Sequence, residues 1–370
     1  MAVNRMLNFF AAINDLGYGV FSYNLIRAYD KHVSRDIALF PIPIQPDFVD
    51  EDIERWIANG SQFRKTDPGI MIFQAPWLNR FVGKPMIGLP IFELDVMPEY
   101  DLRILQALDA ILQPSEWGKR VLEAHGLKNV HVVPGGYDPE IYRPDSSFEE
   151  KLGRIERQGL SFVHVGKWEP RKSSEEVLRC FIRACEGRDE RANLVFHVCN
   201  PFDPDWHSKV ARVLEGSGFV LSGSHFVRGK TRILVPKERF AGGLKKLYQM
   251  AEFGIWASKA EGWNLPLIEC LACGRPCLTT DNTAQADFVR KGIYPAELII
   301  TSHQKEPTRV GSRWWPIDEG EVTEKIRAIL KSPEKFLRME NHCLESIRAF
   351  TWKDSATKLA ATLQRILATR

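Results

Sequence analysis

The chain has 370 residues, 50 Lys and Arg against 47 Asp and Glu, and a formal net charge of +3, with 44% apolar and 26% charged residues. This length exceeds what one hydrophobic core usually serves, so two domains are expected, and the composition excludes a disordered or fibrous chain. No apolar run is long enough to span a bilayer, and a charge of +3 is too small to argue for nucleic acid by itself.

Residues 7–13 read as a first strand and not as a signal peptide, because the apolar stretch runs into Asn14 and Asp15 without a small-residue cleavage site. Gly17-Tyr18-Gly19 follows as a glycine-rich loop, and apolar residues at helical spacing cover 20–32. Strands at 37–42, 70–74, 86–92, 110–113 and 130–133 complete the first half, with a helix at 116–125 whose N-cap is Ser115. The turn cluster Pro134-Gly135-Gly136-Tyr137-Asp138-Pro139 and the polar stretch 145–158 then read as a linker.

A second alternation begins at Ser161, with strands at 162–166, 194–199, 219–221, 253–257, 276–280 and 298–301 and helices such as 174–185 and 265–273. The chain closes on helices at 319–331, 334–350 and 354–368. Two serial alternations predict an α/β protein of two Rossmann-like domains, at 1–150 and 151–350, with parallel sheets facing a central cleft. Ligands of open parallel sheets bind beyond the carboxyl ends of the strands, so chemistry is sought in the segments just after them. Seven scattered cysteines fit reduced thiols in a cytoplasm better than a disulfide framework, and the Cys270/Cys273 pair, with no second pair to complete a zinc site, reads as two helix positions.

The segment from Glu261 to Glu269, followed by Cys270-Leu271-Ala272-Cys273-Gly274-Arg275-Pro276, is the most informative. Glu261 is expected at a loop tip beyond a strand, with Gly262 and Trp263 leading into a helix that starts near Asn264, Leu265 and Pro266. Free backbone N–H groups at such a helix start hold phosphate oxygens, and Glu269 inside the helix is suited to accept two hydrogen bonds from a ribose diol. A second segment, Val163-His164-Val165-Gly166-Lys167-Trp168-Glu169-Pro170-Arg171-Lys172, ends a strand in Gly166, where a backbone can approach a ligand closely. Lys167 and Lys172, five positions apart, are placed to grip a diphosphate; Arg171 is either a third cation or a solvated surface charge.

These residues resemble the E-x7-E motif and its flanks in retaining glycosyltransferases of family 4, which have the GT-B fold. The family's Gly-Arg…Lys-Gly element appears here with Lys167 for arginine and Ser173 for the second glycine, a change that keeps the charge but loses the guanidinium fork. Residues 134–144 resemble the family's turn between domains, Gly17 and Gly19 its loop that approaches the donor, and Phe350-Thr351-Trp352 its Phe-Ser-Trp before a terminal helix, here 351–370, that crosses back to the N-terminal domain. The sequence departs from the family where many members carry a histidine after the fourth strand. Here that region reads Pro90-Ile91-Phe92-Glu93-Leu94-Asp95, so Glu93 or Asp95 takes the acceptor-side role or is a turn residue.

The resemblance implies transfer of a sugar, with retention, from a nucleotide-diphosphate sugar to a hydroxyl. Lys167, Lys172 and the helix start would stabilise the leaving group, Glu261 would orient the sugar, and no metal or other cofactor is expected. Asp203-Pro204-Asp205 imitates the metal-binding pair of the other glycosyltransferase fold but precedes a helix, where Asp is a common cap. A sugar-nucleotide epimerase and a non-catalytic nucleotide-sugar-binding module stay open as other readings. So does the acceptor: polysaccharide, lipid-linked sugar, small molecule, protein or hydroxymethylated DNA base. The basic stretch Arg228, Lys230, Arg232, Lys237 and Arg239, with Phe226 and Phe240, reads as a solvated loop or as a track for a phosphate backbone.

Overall fold

A computed structural model describes residues 6–45, 49–236, 243–290, 292–302, 306–308 and 311–369. The first unit is a six-stranded, wholly parallel sheet in the order β2-β1-β3-β4-β5-β6. Its strands are β1 Leu7–Ile13, β2 Ile37–Ile44, β3 Gly69–Ile72, β4 Met86–Leu89, β5 Ala110–Gln113 and β6 Val130–Val132. Central strands of such sheets are covered on both faces, which is why β1 and β3 are apolar and buried almost throughout, without alternation. Four helices connect and cover them: α1 Gly17–His32, α2 Glu51–Ala58, α3 Glu99–Gln106 and α4 Glu116–Ala124. The Ser115 hydroxyl caps α4 by accepting from the Gly118 N–H at 3.0 Å. Gly17 and Gly19, expected in a loop, instead belong to the first turn of α1.

After the turn at 134–139 the expected linker is in fact a helix, α5 Phe148–Gln158, closed by a capping box in which Ser147 and Glu150 satisfy each other's backbone N–H groups. The second unit is an eight-stranded sheet in the order β14-β13-β12-β7-β8-β11-β10-β9. Its strands are β7 Leu160–Lys167, β8 Ala192–Cys199, β9 Val220–Ser222, β10 His225–Arg228, β11 Thr231–Leu234, β12 Phe253–Trp256, β13 Cys277–Thr280 and β14 Ile299–Ile300. All neighbours run parallel except β9 and β10, an antiparallel addition at one edge. Helices α6 Ser174–Ala184, α7 Trp206–Gly216, α8 Gly243–Gln249 and α9 Leu265–Ala272 fill the crossovers, and a small hairpin pairs β15 Glu306–Pro307 with β16 Arg313–Trp314.

The closing helices are α10 Glu319–Lys331, α11 Pro333–Leu337, α12 Glu340–Ile347 and α13 Trp352–Ala368, so the single helix expected over 334–350 is two. Helix α13 leaves the second unit and packs along α1 of the first, where Trp352 meets Phe21 edge-on with ring centroids 5.2 Å apart. Three segments cross at Gly135 and Gly136. A Cβ on Gly135 would stand 2.5 Å from the Trp263 indole nitrogen and 2.9 Å from Phe21, and one on Gly136 would stand 2.6 Å from the Thr351–Trp352 backbone.

Candidate active site at the facing sheet ends

In the second sheet the strand order reverses between β7 and β12, and in the first between β1 and β3; beyond the carboxyl ends at such points lies the crevice where doubly wound sheets bind ligands. After β7 the chain makes a short turn through Pro170–Lys172 and then Ser173, whose φ of 52° is left-handed, before entering α6. That backbone conformation favours glycine, which accounts for the glycine expected at this position by resemblance. After β12 the loop 257–264 leads to α9, and the Lys259 N–H donates to the Arg171 carbonyl at 2.8 Å, tying the two loops together.

Glu261 is the centre of the arrangement. Its carboxylate is almost wholly buried and accepts from Lys172 Nζ at 2.6 and 2.8 Å and from Arg171 Nη1 at 3.1 Å, while its backbone N–H donates to Thr283 Oγ1 at 2.8 Å. Burial alone would raise its pKa, but the Lys172 and Arg171 charges outweigh burial and hold it below the ordinary value. Burial likewise works against the Arg171 charge, and Glu93, Glu261 and Glu169 more than restore it. Arg171 is therefore a structural member of the site and not a solvated charge. The cations that converge on the Glu261 carboxylate are Arg171 and Lys172, while the Lys167 ammonium lies 5.1 Å from the centre of the Phe202 ring. Gly166 keeps ordinary contact distances, a Cβ there meeting His164 at 3.7 Å and Lys172 at 3.9 Å.

The first unit supplies the opposite wall. Glu93 reaches across to Arg171 at 3.4 Å. Asp95 accepts from the Arg313 backbone N–H at 2.8 Å and faces its guanidinium at 3.6 Å, which makes it a tie between the units. Gly262 is held under the segment after β4: a Cβ on it would be 2.6 Å from Ile91 Cγ2 and 3.1 Å from the Phe92 carbonyl. Tyr18, between the two glycines of the first turn of α1, donates its hydroxyl to the Ile91 carbonyl and accepts from the Ile91 N–H at 3.2 Å. Burial, with Glu93 nearby, raises the Tyr18 pKa and keeps the phenol neutral.

The two glycines differ. A Cβ on Gly19 would be driven to 2.3 Å from the Asn14 backbone, whereas one on Gly17 would meet nothing within 4 Å. Gly19 is a packing requirement, and Gly17 faces open space at the start of a 16-residue helix whose N-cap, Leu16, offers no side-chain acceptor. On the other side α9 starts at Leu265 with Pro266 in its first turn, after Asn264 in a left-handed conformation at φ 79°. The Asn264 amide donates to Gln285 at 2.8 Å, leaving its oxygen buried without a partner, as is the Trp263 indole N–H. Glu269 is buried one turn further on, accepting from the Tyr248 hydroxyl at 3.1 Å, with burial pushing its pKa up to about 8 against the hydrogen bonds of Tyr248 and Tyr142.

No family model matches this chain. A curated relative, MMP alpha-(1->4)-mannosyltransferase of Mycolicibacterium hassiacum, is 24% identical over 242 residues, which cover 65% of this chain and 49% of that one. The chain thus spans about half the length of the curated relative it matches. Among solved structures, sucrose-phosphate synthase from Thermosynechococcus elongatus superposes with a TM-score of 0.69 at 14% identity, covering 99% of this chain and 100% of that one. Anabaena HepE in complex with UDP-glucose gives 0.69 at 14% identity, over 98% and 100%. A trehalose 6-phosphate synthase from Burkholderia multivorans gives 0.66 at 13% identity, over 99% and 100%. The chain has the GT-B fold.

Within the GT-B cleft, two contributors escaped the sequence reading. Tyr18 is hidden between its glycines, and the segment after β13 carries no motif, although Thr283 holds the Glu261 amide and Gln285 holds Asn264. The rule that ligands lie beyond carboxyl strand ends applies to β13 as well and would have flagged 281–287. Asp203 pairs with Lys209 at 2.5 Å and accepts from the Asp205 N–H at 3.2 Å; Asp205 stands at the N-cap position of α7 without a side-chain capping bond. Among the described residues no group of three or more His, Cys, Asp or Glu side chains is placed to hold a metal ion. Cys270 and Cys273 are buried within and at the end of α9, and all seven cysteines are free thiols. No described helix is long and apolar enough to cross a membrane.

Proposed function

We propose that the chain is a retaining glycosyltransferase that moves a sugar from a UDP- or GDP-linked donor to an acceptor hydroxyl. The observation that carries this reading is Glu261, pinned by Lys172 and Arg171 at the reversal point of the second sheet. A nucleotide-diphosphate sugar needs fixed positive groups where charge develops on its leaving phosphate, and oriented acceptors for its hydroxyls. Lys172, Lys167 and the first-turn N–H groups of α9 at Leu265 and beyond serve the first need, with Gly166 leaving room for the diphosphate. Glu261 serves the second, and Glu269 takes the ribose diol. Gly17 and the uncapped start of α1 close over the donor from the first unit. Glu93, across the cleft on Arg171, is the acceptor-side carboxylate in place of a histidine, while Asp95 ties the units together. Similarity to a mannosyltransferase and the UDP-glucose complex of HepE support a nucleotide-sugar donor. Seven free thiols support a reducing, cytoplasmic setting.

The test is a thermal-shift screen of UDP-, GDP-, ADP- and dTDP-sugars, followed by transfer or hydrolysis assays with the donor that stabilises the protein. A UDP- or GDP-sugar should raise the melting temperature, and the product anomer, read by NMR, should match that of the donor. Stabilisation without turnover across a broad acceptor panel would point to a binding module, and an inverted anomer would refute retention. Activity should survive EDTA, because cationic side chains neutralise the leaving group. Activity that EDTA abolishes and manganese or magnesium restores would overturn the metal-free reading.

A further inference from the structure

We propose that a pocket at the opposite end of the second sheet binds a small organic phosphate. The strands β7, β8 and β11 begin side by side there, with Ser161 and Arg232 both in register with Asn193. The pocket has a volume of about 500 Å³, with Leu194, Val195, Leu234 and Met250 among its lining residues. Four arginines line it from three elements: Arg154 and Arg157 from the last turns of α5, Arg191 from the loop before β8, and Arg232 from β11. The strand from Ser161 to Lys167 separates it from the active-site end of β7, roughly 20 Å at the rise of a strand. A molecule in this pocket is therefore not the reacting substrate.

The charge distribution names the ligand class. Among the described residues no carboxylate pairs with Arg157, Arg191 or Arg232. Arg154 gives its Nε to buried Glu252 at 2.5 Å and its Nη1 to the Gln249 carbonyl at 3.4 Å, but its Nη2 is buried and has no partner. Three guanidinium groups on one pocket without a carboxylate partner are a surplus of positive charge, and each presents a planar fork that fits phosphate in bidentate fashion. A single carboxylate would neutralise only one of them, whereas a phosphate monoester carries close to two charges at neutral pH. The pocket is larger than a bare phosphate ion requires, so the phosphate carries an organic group, which rests on the apolar side chains. Arg232 comes from the basic stretch singled out in the sequence. Of its other members Arg228 is engaged with the Ser217 and Ile182 carbonyls, and Lys237, Arg239 and the neighbouring Phe240 lie outside the described residues.

Titration calorimetry with glucose 6-phosphate as the probe, glucose as the neutral control and inorganic phosphate as the minimal ligand tests this on the full chain. Glucose 6-phosphate should bind at one site more tightly than phosphate, and glucose should not bind. The exposed pair R191Q/R232Q should weaken that binding about tenfold or more, the loss expected for charge-assisted hydrogen bonds, with circular dichroism unchanged. Lys172→Ala, in the cleft, should leave it unaltered, which separates this pocket from the proposed donor site. No heat with glucose 6-phosphate, full binding in R191Q/R232Q, or loss in Lys172→Ala would each overturn the proposal. So would a single-stranded oligonucleotide that binds more tightly than glucose 6-phosphate and is lost in R191Q/R232Q, since the arginines would then follow a nucleic-acid backbone.

Discussion

Glu269 lies in the second turn of α9, and burial holds its carboxyl near pKa 8, so at neutral pH the empty site keeps it largely protonated. Its ordinary value is 4.5, so the unfolded chain ionises first and this group takes stability away as pH rises from 4.5 towards 8. In the proposed site, ribose hydroxyls would donate to the ionised form, which reverses the preference. Donor affinity should therefore strengthen as pH rises from 6 to 8, by up to about tenfold per pH unit for a single proton released on binding. Calorimetry across that range checks the slope, and Glu269→Gln should both weaken the donor and flatten it; an unchanged slope in the variant would move the ribose elsewhere. Lys172 makes a different kind of contribution. In the proposed reaction its charge would matter most as the diphosphate leaves, so Lys172→Ala should lower kcat more than it raises KM. Equal effects on both would mark Lys172 as a uniform binder.

At the scale of elements, the first turn of α1 separates packing from function in two neighbouring glycines. Gly17→Val adds a Cβ with no protein atom within 4 Å, so melting should change little while turnover falls, because the valine fills the face proposed to close over the donor. Gly19→Ala should do the reverse, forcing Asn14 to shift and lowering the melting temperature. Full activity in Gly17→Val would leave this helix start without a role in the donor site. The sequence could not place these glycines in a helix, since glycine is a poor helix former and reads as a loop. The strands around them were legible because buried parallel strands are continuous apolar runs. Helix α5 was not, because its most buried residue is charged: Lys151 is buried against the Gly274 carbonyl at 2.9 Å and Glu340 at 2.5 Å, so the segment reads as polar linker. The break between α11 and α12 was hidden too, because the two short helices face different neighbours, α10 and α9, while their combined pattern resembles one amphipathic helix. At the site, the E-x7-E spacing and the lysines stood out by charge. Thr283 and Gln285 act through hydrogen bonds from a loop with no distinctive spacing.

At the scale of the whole molecule, the cleft is bounded by contacts from both units: Glu93 on Arg171, Asp95 on Arg313, and the Glu116 N–H donated to Asp287 at 2.8 Å. Helix α13 also links the two units by returning onto α1. Trp352→Ala removes a buried indole packed edge-on against Phe21, and should cost about 3–5 kcal/mol of stability, as large-to-small core changes do. Chemical denaturation checks it; a loss under 1 kcal/mol would show that the helix is only loosely attached. That return also sets a timetable for biosynthesis. The ribosome delivers α1 long before its cover, residues 352–368. At bacterial-to-eukaryotic elongation rates the interval is on the order of tens of seconds, during which Phe21 and its neighbours stand bare on the nascent chain. A stop codon just before residue 352 would therefore spare every residue of the cleft and still leave α1 without its cover.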